Sequence, residues 1–170
     1  YRDEWQDDVL HLNYVRRLSS GRLIALLGRL DTVVELEPDP HVIYVRPTFT
    51  YAEHLARLGT GVDGGPGPSA PHDIVELETD VILFNSSKTG VLYTLDCVDG
   101  TLTEIWRAPD TRRGWQRGLA VSDEGIAYVG TGVGDILLID LKTGEKVGDF
   151  TVFPQSSDLR QAIFGIQLVA

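Results

Sequence analysis

Two stretches decide the reading: Gly90-Val91-Leu92-Tyr93-Thr94-Leu95-Asp96-Cys97-Val98-Asp99-Gly100 and Gly134-Asp135-Ile136-Leu137-Leu138-Ile139-Asp140-Leu141-Lys142-Thr143-Gly144. Overlaid, they match Gly90 with Gly134, Asp96 with Asp140 and Gly100 with Gly144. Trp106 then falls on Phe150, so four landmarks share an offset of 44 residues. Such agreement marks an internal repeat.

Each unit reads as four short strands. Asp73–Leu77 and Gly118–Val121 are the first, and Val81–Phe84 and Ile126–Val129 the second. A turn rich in Ser, Thr and Gly follows at Asn85–Gly90 or Gly130–Gly134. The third strand ends in Asp, a turn closes on Gly, and Leu102–Arg107 or Lys146–Val152 is the fourth. β-Branched and aromatic residues fill the runs, and turn residues recur every 8–12 positions, the pattern of an all-β chain. A looser copy comes first, with strands over Leu10–Leu18, Arg22–Leu27, Thr32–Leu36 and Val42–Arg46, and Glu37 in the place of Asp96. A fourth begins with an inner strand over Ala162–Val169.

Four-stranded units of about 45 residues are the signature of β-propeller blades. The expectation is three blades plus one inner strand in a single, partial propeller domain over residues 1–170. A twisted β-sandwich made of the same hairpins is the alternative. Propellers close with about 4–8 blades, so either a missing half of the same protein or self-association of identical chains is expected to complete the ring. Tyr1 is not Met, and the sequence has no Met at all, which reads as a chain trimmed or cut from something longer. Residues 47–71 interrupt the pattern. There Thr50-Tyr51-Ala52-Glu53 forms a capping box for a short helix, Tyr51–Leu58, followed by the Gly/Pro-rich stretch Gly61–Pro71. The segment reads as a lid or as a surface insertion.

With 15 Lys and Arg against 25 Asp and Glu, the formal charge is −10. An acidic chain repels phosphate backbones and anionic bilayers, so nucleic acid and membrane are excluded as main partners. No apolar run approaches the ~20 residues of a membrane span. No signal segment is visible, which favours a soluble cytoplasmic protein without fixing its compartment.

Inner strands line a propeller's channel, and counting from the turns places Asn13, His72, Arg117 and Ile163 at equivalent positions, with His11, Asp73 and Trp115 adjacent. An imidazole, a guanidinium, an amide and a carboxylate at one mouth can hold an anionic or polyhydroxylated small molecule. In a catalytic version His72, with Asp73 and Arg117, carries the chemistry: His72 as acid or base, Arg117 and Asn13 positioning an anionic or carbonyl group. His11, Asn13 and Trp115 are then ligand-binding. The competing reading makes the same groups a scaffold, with Arg117 clasping Asp73 of the neighbouring blade. Two others are a protein-interaction platform and a structural fragment without chemistry of its own.

The remaining features are weaker. Gly130-Thr131-Gly132-Val133-Gly134 joins two strands with no helix after it, so it reads as a turn and not a phosphate cradle. His11, His41, His54 and His72 lack metal-ligand spacing, and no motif calls for a cofactor. Cys97 aligns with Leu141 and reads as a small buried hydrophobe. Ser86 and Ser87 lack the glycine-flanked elbow of a nucleophile.

His11-Leu12-Asn13, Pro71-His72-Asp73, Asn85-Ser86 with Thr89-Gly90, Arg117-Gly118-Leu119-Ala120 with Tyr128-Val129-Gly130, and Ile139–Gly144 occur in that order. Over residues 10–169 they resemble a bacterial propeller-like family of unknown function. The blade pattern is more distantly similar to arylsulfotransferase-type and gluconolactonase/strictosidine-synthase-type propellers. The resemblance implies that this chain is the C-terminal half of such a protein and that His11, Asn13, His72, Arg117 and Gly118 matter, but it implies no reaction. Asp73 stands where a small residue is expected, and the lactonase calcium-ligand set is not recognisable.

Overall fold

The computed structural model describes residues 11–45, 68–109, 116–152, 163 and 165–169. Within them lie β1 (Leu12–Arg17), β2 (Leu23–Leu27), β3 (Thr32–Glu37), β4 (His41–Val45), β5 (Pro71–Glu78), β6 (Val81–Ser86), β7 (Val91–Asp96), β8 (Leu102–Arg107), β9 (Leu119–Val121), β10 (Ile126–Gly130), β11 (Asp135–Asp140) and β12 (Glu145–Thr151). They form three four-stranded antiparallel sheets, each a meander in chain order. These sheets are the three expected blades.

The repeated Asp and Gly have a common structural cause. Asp96 Oδ1 accepts from the Val98 amide at 2.7 Å and Asp140 Oδ1 from the Lys142 amide at 2.8 Å, starting the turn that leaves the third strand. The turn closes when the Gly100 amide donates to Asp96 O and the Gly144 amide to Asp140 O. Both glycines are left-handed, and a Cβ at Gly144 would lie 2.7 Å from Ile105 O, while one at Gly100 would lie 3.1 Å from Ile43 O. Each closing turn therefore tucks against the outer strand of the preceding blade, where a side chain does not fit.

Alternation gives the middle sheet two apolar faces. One, with Ile82, Phe84, Val91, Tyr93 and Leu95, packs on Ile24, Leu26 and Val33 of the first blade. The other, with Leu83, Leu92 and Trp106, packs on Leu119, Ala127, Val129, Leu137 and Ile139 of the third. Trp106 is 9% exposed there, whereas its repeat counterpart Phe150, with no blade described beyond it, is 49% exposed. Cys97 is buried in the first of these cores, and burial pushes its thiol up to about 12, so it behaves as the apolar filler expected.

Polar contacts reinforce the junction of blades one and two. Arg22 donates to Glu35 at 2.7 Å and to Cys97 O at 2.7 Å, and both the backbone amide and the hydroxyl of Ser19 donate to the Glu76 carboxylate.

Two expectations end differently. Ile163 and residues 165–169, read as a fourth inner strand, are not in strand geometry. The Ile163 amide donates to Thr131 O at 3.2 Å. An inner strand needs the second strand of its own blade to complete its ladder, and none is described. The helix expected at Tyr51–Leu58 and most of the 47–71 insertion lie outside the described residues.

Candidate functional site

β1, β5 and β9 begin their blades, β1 lying beside β5 and β5 beside β9. All three enter through unusual backbone. His11 (φ 43°) and Ala70 (φ 48°) are left-handed, and their carbonyls accept from Gly28 and Ser87 in the blades' inner turns. Further along, Asp73 (φ 53°) matches Gly118 (φ 77°). β5 carries one more residue than β6 between His72 and Val75, a β-bulge, and β1 has its counterpart between Leu12 and Tyr14. Bulges re-aim side chains at strand ends. Here they set Asn13 on β1 and His72 on β5, while Arg117 stands two residues ahead of β9. Aspartate, with its short polar side chain, tolerates the left-handed conformation better than most residues, which explains how Asp73 occupies a place filled by glycine in the next blade.

Two of the polar groups also tie blades together. Asn13 Nδ2 donates to Pro71 O at 2.7 Å. Asp73 Oδ2 accepts from the Gly118 amide at 2.9 Å and from Asn85 Nδ2 at 3.2 Å. The clasp between the second and third blades thus runs from Asp73 to the Gly118 backbone, while Arg117 acts on Asp73 through its charge.

His72, Asp73, Arg117 and His11 form one electrostatic cluster. Burial, then the Arg117 charge, then His11 push the half-buried His72 imidazole down to about 4. It is therefore neutral at physiological pH and offers an acceptor nitrogen. Burial raises the Asp73 carboxyl despite its hydrogen bonds and the Arg117 charge. Burial likewise lowers the Arg117 guanidinium, outweighing the support of Asp73. A partly desolvated cation of this kind gains from an incoming anion.

Of the remaining candidates, Ile163 packs on Gly130, where an added Cβ would come within 2.6 Å of the Ile163 side chain. Trp115 lies outside the described residues. Among the described residues no group of three or more His, Cys, Asp or Glu is arranged to hold a metal ion, and no helix is long and apolar enough to cross a membrane.

A feature beyond the expected set sits beside this cluster. Gln116 and Asn85 are fully buried, and Gln116 Oε1, Gln116 Nε2 and Asn85 Oδ1 have no hydrogen-bond partner among the described residues. Each such group costs about 1–3 kcal/mol when left unsatisfied. Asn85 alternates with Leu83 on the face turned to the third blade. Gln116 reaches back toward the second blade, its backbone carbonyl accepting from Ser87 Oγ at 2.5 Å. The corresponding residues at the first junction are Leu26 and Pro71, both buried and apolar. The leading positions of the inner strands did not single out these amides; comparing Leu26 with Asn85 and Pro71 with Gln116 across the repeats exposes them.

No protein-family model matches the sequence, and no curated protein matches it. Solved structures do. The virginiamycin B lyase of Staphylococcus aureus, an inactive H270A form with quinupristin, superposes with a TM-score of 0.60 at 14% identity, over 83% of this chain and 41% of its own. A streptogramin B lyase gives 0.59 at 15% identity, over 83% and 40%. The computationally designed protein Ika8 gives 0.56 at 12% identity, over 94% and 39%. The chain spans about two fifths of the length of these structures. At such identities the likeness reaches the fold and no particular relative: the chain is a run of β-propeller blades.

Proposed function

We propose that the inner-strand mouth binds a small polar or anionic molecule, with Arg117 taking its negative charge, His72 accepting a proton or hydrogen bond, and His11 and Asn13 bordering it. The observation that carries this reading is the cluster itself. Three equivalent positions hold three different polar side chains, and two of them, His72 and Arg117, are partly buried within reach of each other's charge. The Asn13 and Asp73 clasps tie the blades, and a partly desolvated guanidinium beside a neutral imidazole is a pair that an anionic ligand can use. Were the ligand transformed, neutral His72 would serve as the base, with Asp73 and Arg117 orienting the reacting group.

Calorimetric or NMR titration with small carboxylates tests the reading. Binding that is lost in Arg117→Ala and weakened about tenfold in His72→Ala, with the fold intact by circular dichroism, supports it. Equal binding by all three proteins defeats it.

A second reading concerns assembly. The exposed Phe150 stands where Trp106 is covered by a neighbouring blade, so a further blade, from a second copy or from another stretch of the same protein, would cover this face and close the channel. Native mass spectrometry separates a self-associated ring from a single chain.

A further inference from the structure

We infer that the exposed face of the third blade takes up a three-stranded β-meander of the repeat's own pattern, and that residues 166–168 supply the first strand of the blade so formed. This rests on the reading that a further blade covers that face, and it narrows the partner: three strands arrive, because the fourth is already in place. Gly165 continues the series Asp73, Gly118. Asp73 reaches the Gly118 amide of the next blade, and a Cβ on Gly118 would lie 3.1 Å from the Gly165 nitrogen, so Gly165 sits beside Gly118 as Gly118 sits beside Asp73. Two residues earlier, Ile163 takes the place of Gln116, one step from the position that counting from the turns gives it. The inner turn of the preceding blade holds each, through Ser87 Oγ to Gln116 O and through the Ile163 amide to Thr131 O. Residues 166–168 therefore stand where Leu119, Ala120 and Val121 stand in the third blade, and no described strand pairs with them.

The face beside that edge repeats the one already covered at the preceding junction. Strand pairing matches Tyr128, Ile136 and Phe150 with Leu83, Leu92 and Trp106. Leu83 and Leu92 are wholly buried among Ala127, Val129, Leu137 and Ile139 of the next blade, whereas Tyr128 and Ile136 are half-buried and Phe150 is 49% exposed. The occupant is therefore a polypeptide with small or branched apolar residues at alternate positions of its first two strands. Its closing turn carries a left-handed glycine. Gly100 packs against Ile43 O and Gly144 against Ile105 O, each carbonyl just ahead of an aromatic residue, Tyr44 or Trp106; Asp149, ahead of Phe150, is next in the series. Strand addition joins such an open edge through main-chain hydrogen bonds, while the side-chain face gives selectivity.

The probe is a peptide copying residues 124–152, the last three strands of the third blade, added to the labelled full chain. If it pairs with residues 166–168 as β10 pairs with β9, the amides of Ile166, Gln167 and Leu168 should exchange slower by about tenfold or more, and the Phe150 ring signals should shift. A peptide with Val129→Asp and Leu137→Asp should do neither. Should the free peptide aggregate, the same stretch appended after Ala170 decides, since Val169-Ala170-Glu124-Gly125 repeats the turn Ser122–Gly125. Slowed exchange at 166–168 there supports the inference equally. Dimers in native mass spectra of the chain alone, with 166–168 exchanging freely, would mean that a whole blade of a second copy takes the face, overturning the inference and leaving the covered-face reading in place. Single chains, free exchange and an unshifted Phe150 with both peptide and extension would overturn the two together.

Discussion

Asp73 Oδ2 lies 2.9 Å from the amide nitrogen of Gly118, two residues with the same left-handed backbone at the same place in successive blades. The side chain of one repeat thus satisfies the backbone of the next. Asp73→Ala removes this bond and the one to Asn85 and puts a less tolerant residue at positive φ, so it should cost about 2–3 kcal/mol. Asp73→Asn keeps an acceptor and tolerates the backbone, and should cost less. Urea unfolding of both variants checks the order; equal losses would remove the clasp from the account.

Arg22 is the corresponding tie at the first junction. It crosses to Cys97 O and also neutralises Glu35 of its own blade, whose side chain is 4% exposed, so Arg22→Ala leaves a buried carboxylate with only the His41 ring 3.8 Å away and should cost about 3–5 kcal/mol. The double variant Arg22→Met/Glu35→Leu should recover most of that loss in the same unfolding assay, because it is the lone charge that destabilises.

His72 makes stability depend on pH. Its folded-state value of about 4 lies below the ordinary 6.5, so between these limits the unfolded chain binds the extra proton. The contribution is complete above pH 6.5 and is lost as pH falls toward 4, by an amount on the order of 3 kcal/mol. Asp73, with its raised carboxyl, acts with the opposite sign above pH 3.8. Thermal melts from pH 7 to 4 should show the decline, and His72→Gln should flatten it.

Gln116→Leu tests whether the buried amide is a polar penalty in the fold. With the amide unsatisfied, the substitution removes a polar penalty and should raise stability by about 1–3 kcal/mol. A lowered melting temperature would mean that the folded chain already satisfies the amide.

The blade pattern was legible because its determinants are local. Asp96 and Asp140 start turns through their own carboxylates, and Gly100 and Gly144 close them in a conformation that a side chain would obstruct. Register followed from the same landmarks, which is why Asn13, His72 and Arg117 could be aligned by counting. What they touch could not be counted. Asn13 meets Pro71 and Asp73 meets Gly118 across 58 and 45 residues of chain, and such contacts depend on how blades stack. The buried amides escaped for a related reason: a polar residue in a strand looks the same in sequence whether it faces water or a neighbouring sheet.

The two-faced packing of the middle sheet has a kinetic consequence. Blades touch only their neighbours, so the chain opens as a row of units and not as a single shell. Ile82, Phe84, Leu83 and Leu92 are covered on one side or the other by a flanking blade, so their amides exchange only after a flanking blade lets go. Hydrogen–deuterium exchange should therefore be slowest along β6 and β7 and faster in both outer sheets, a gradient of protection running from the centre to the two ends.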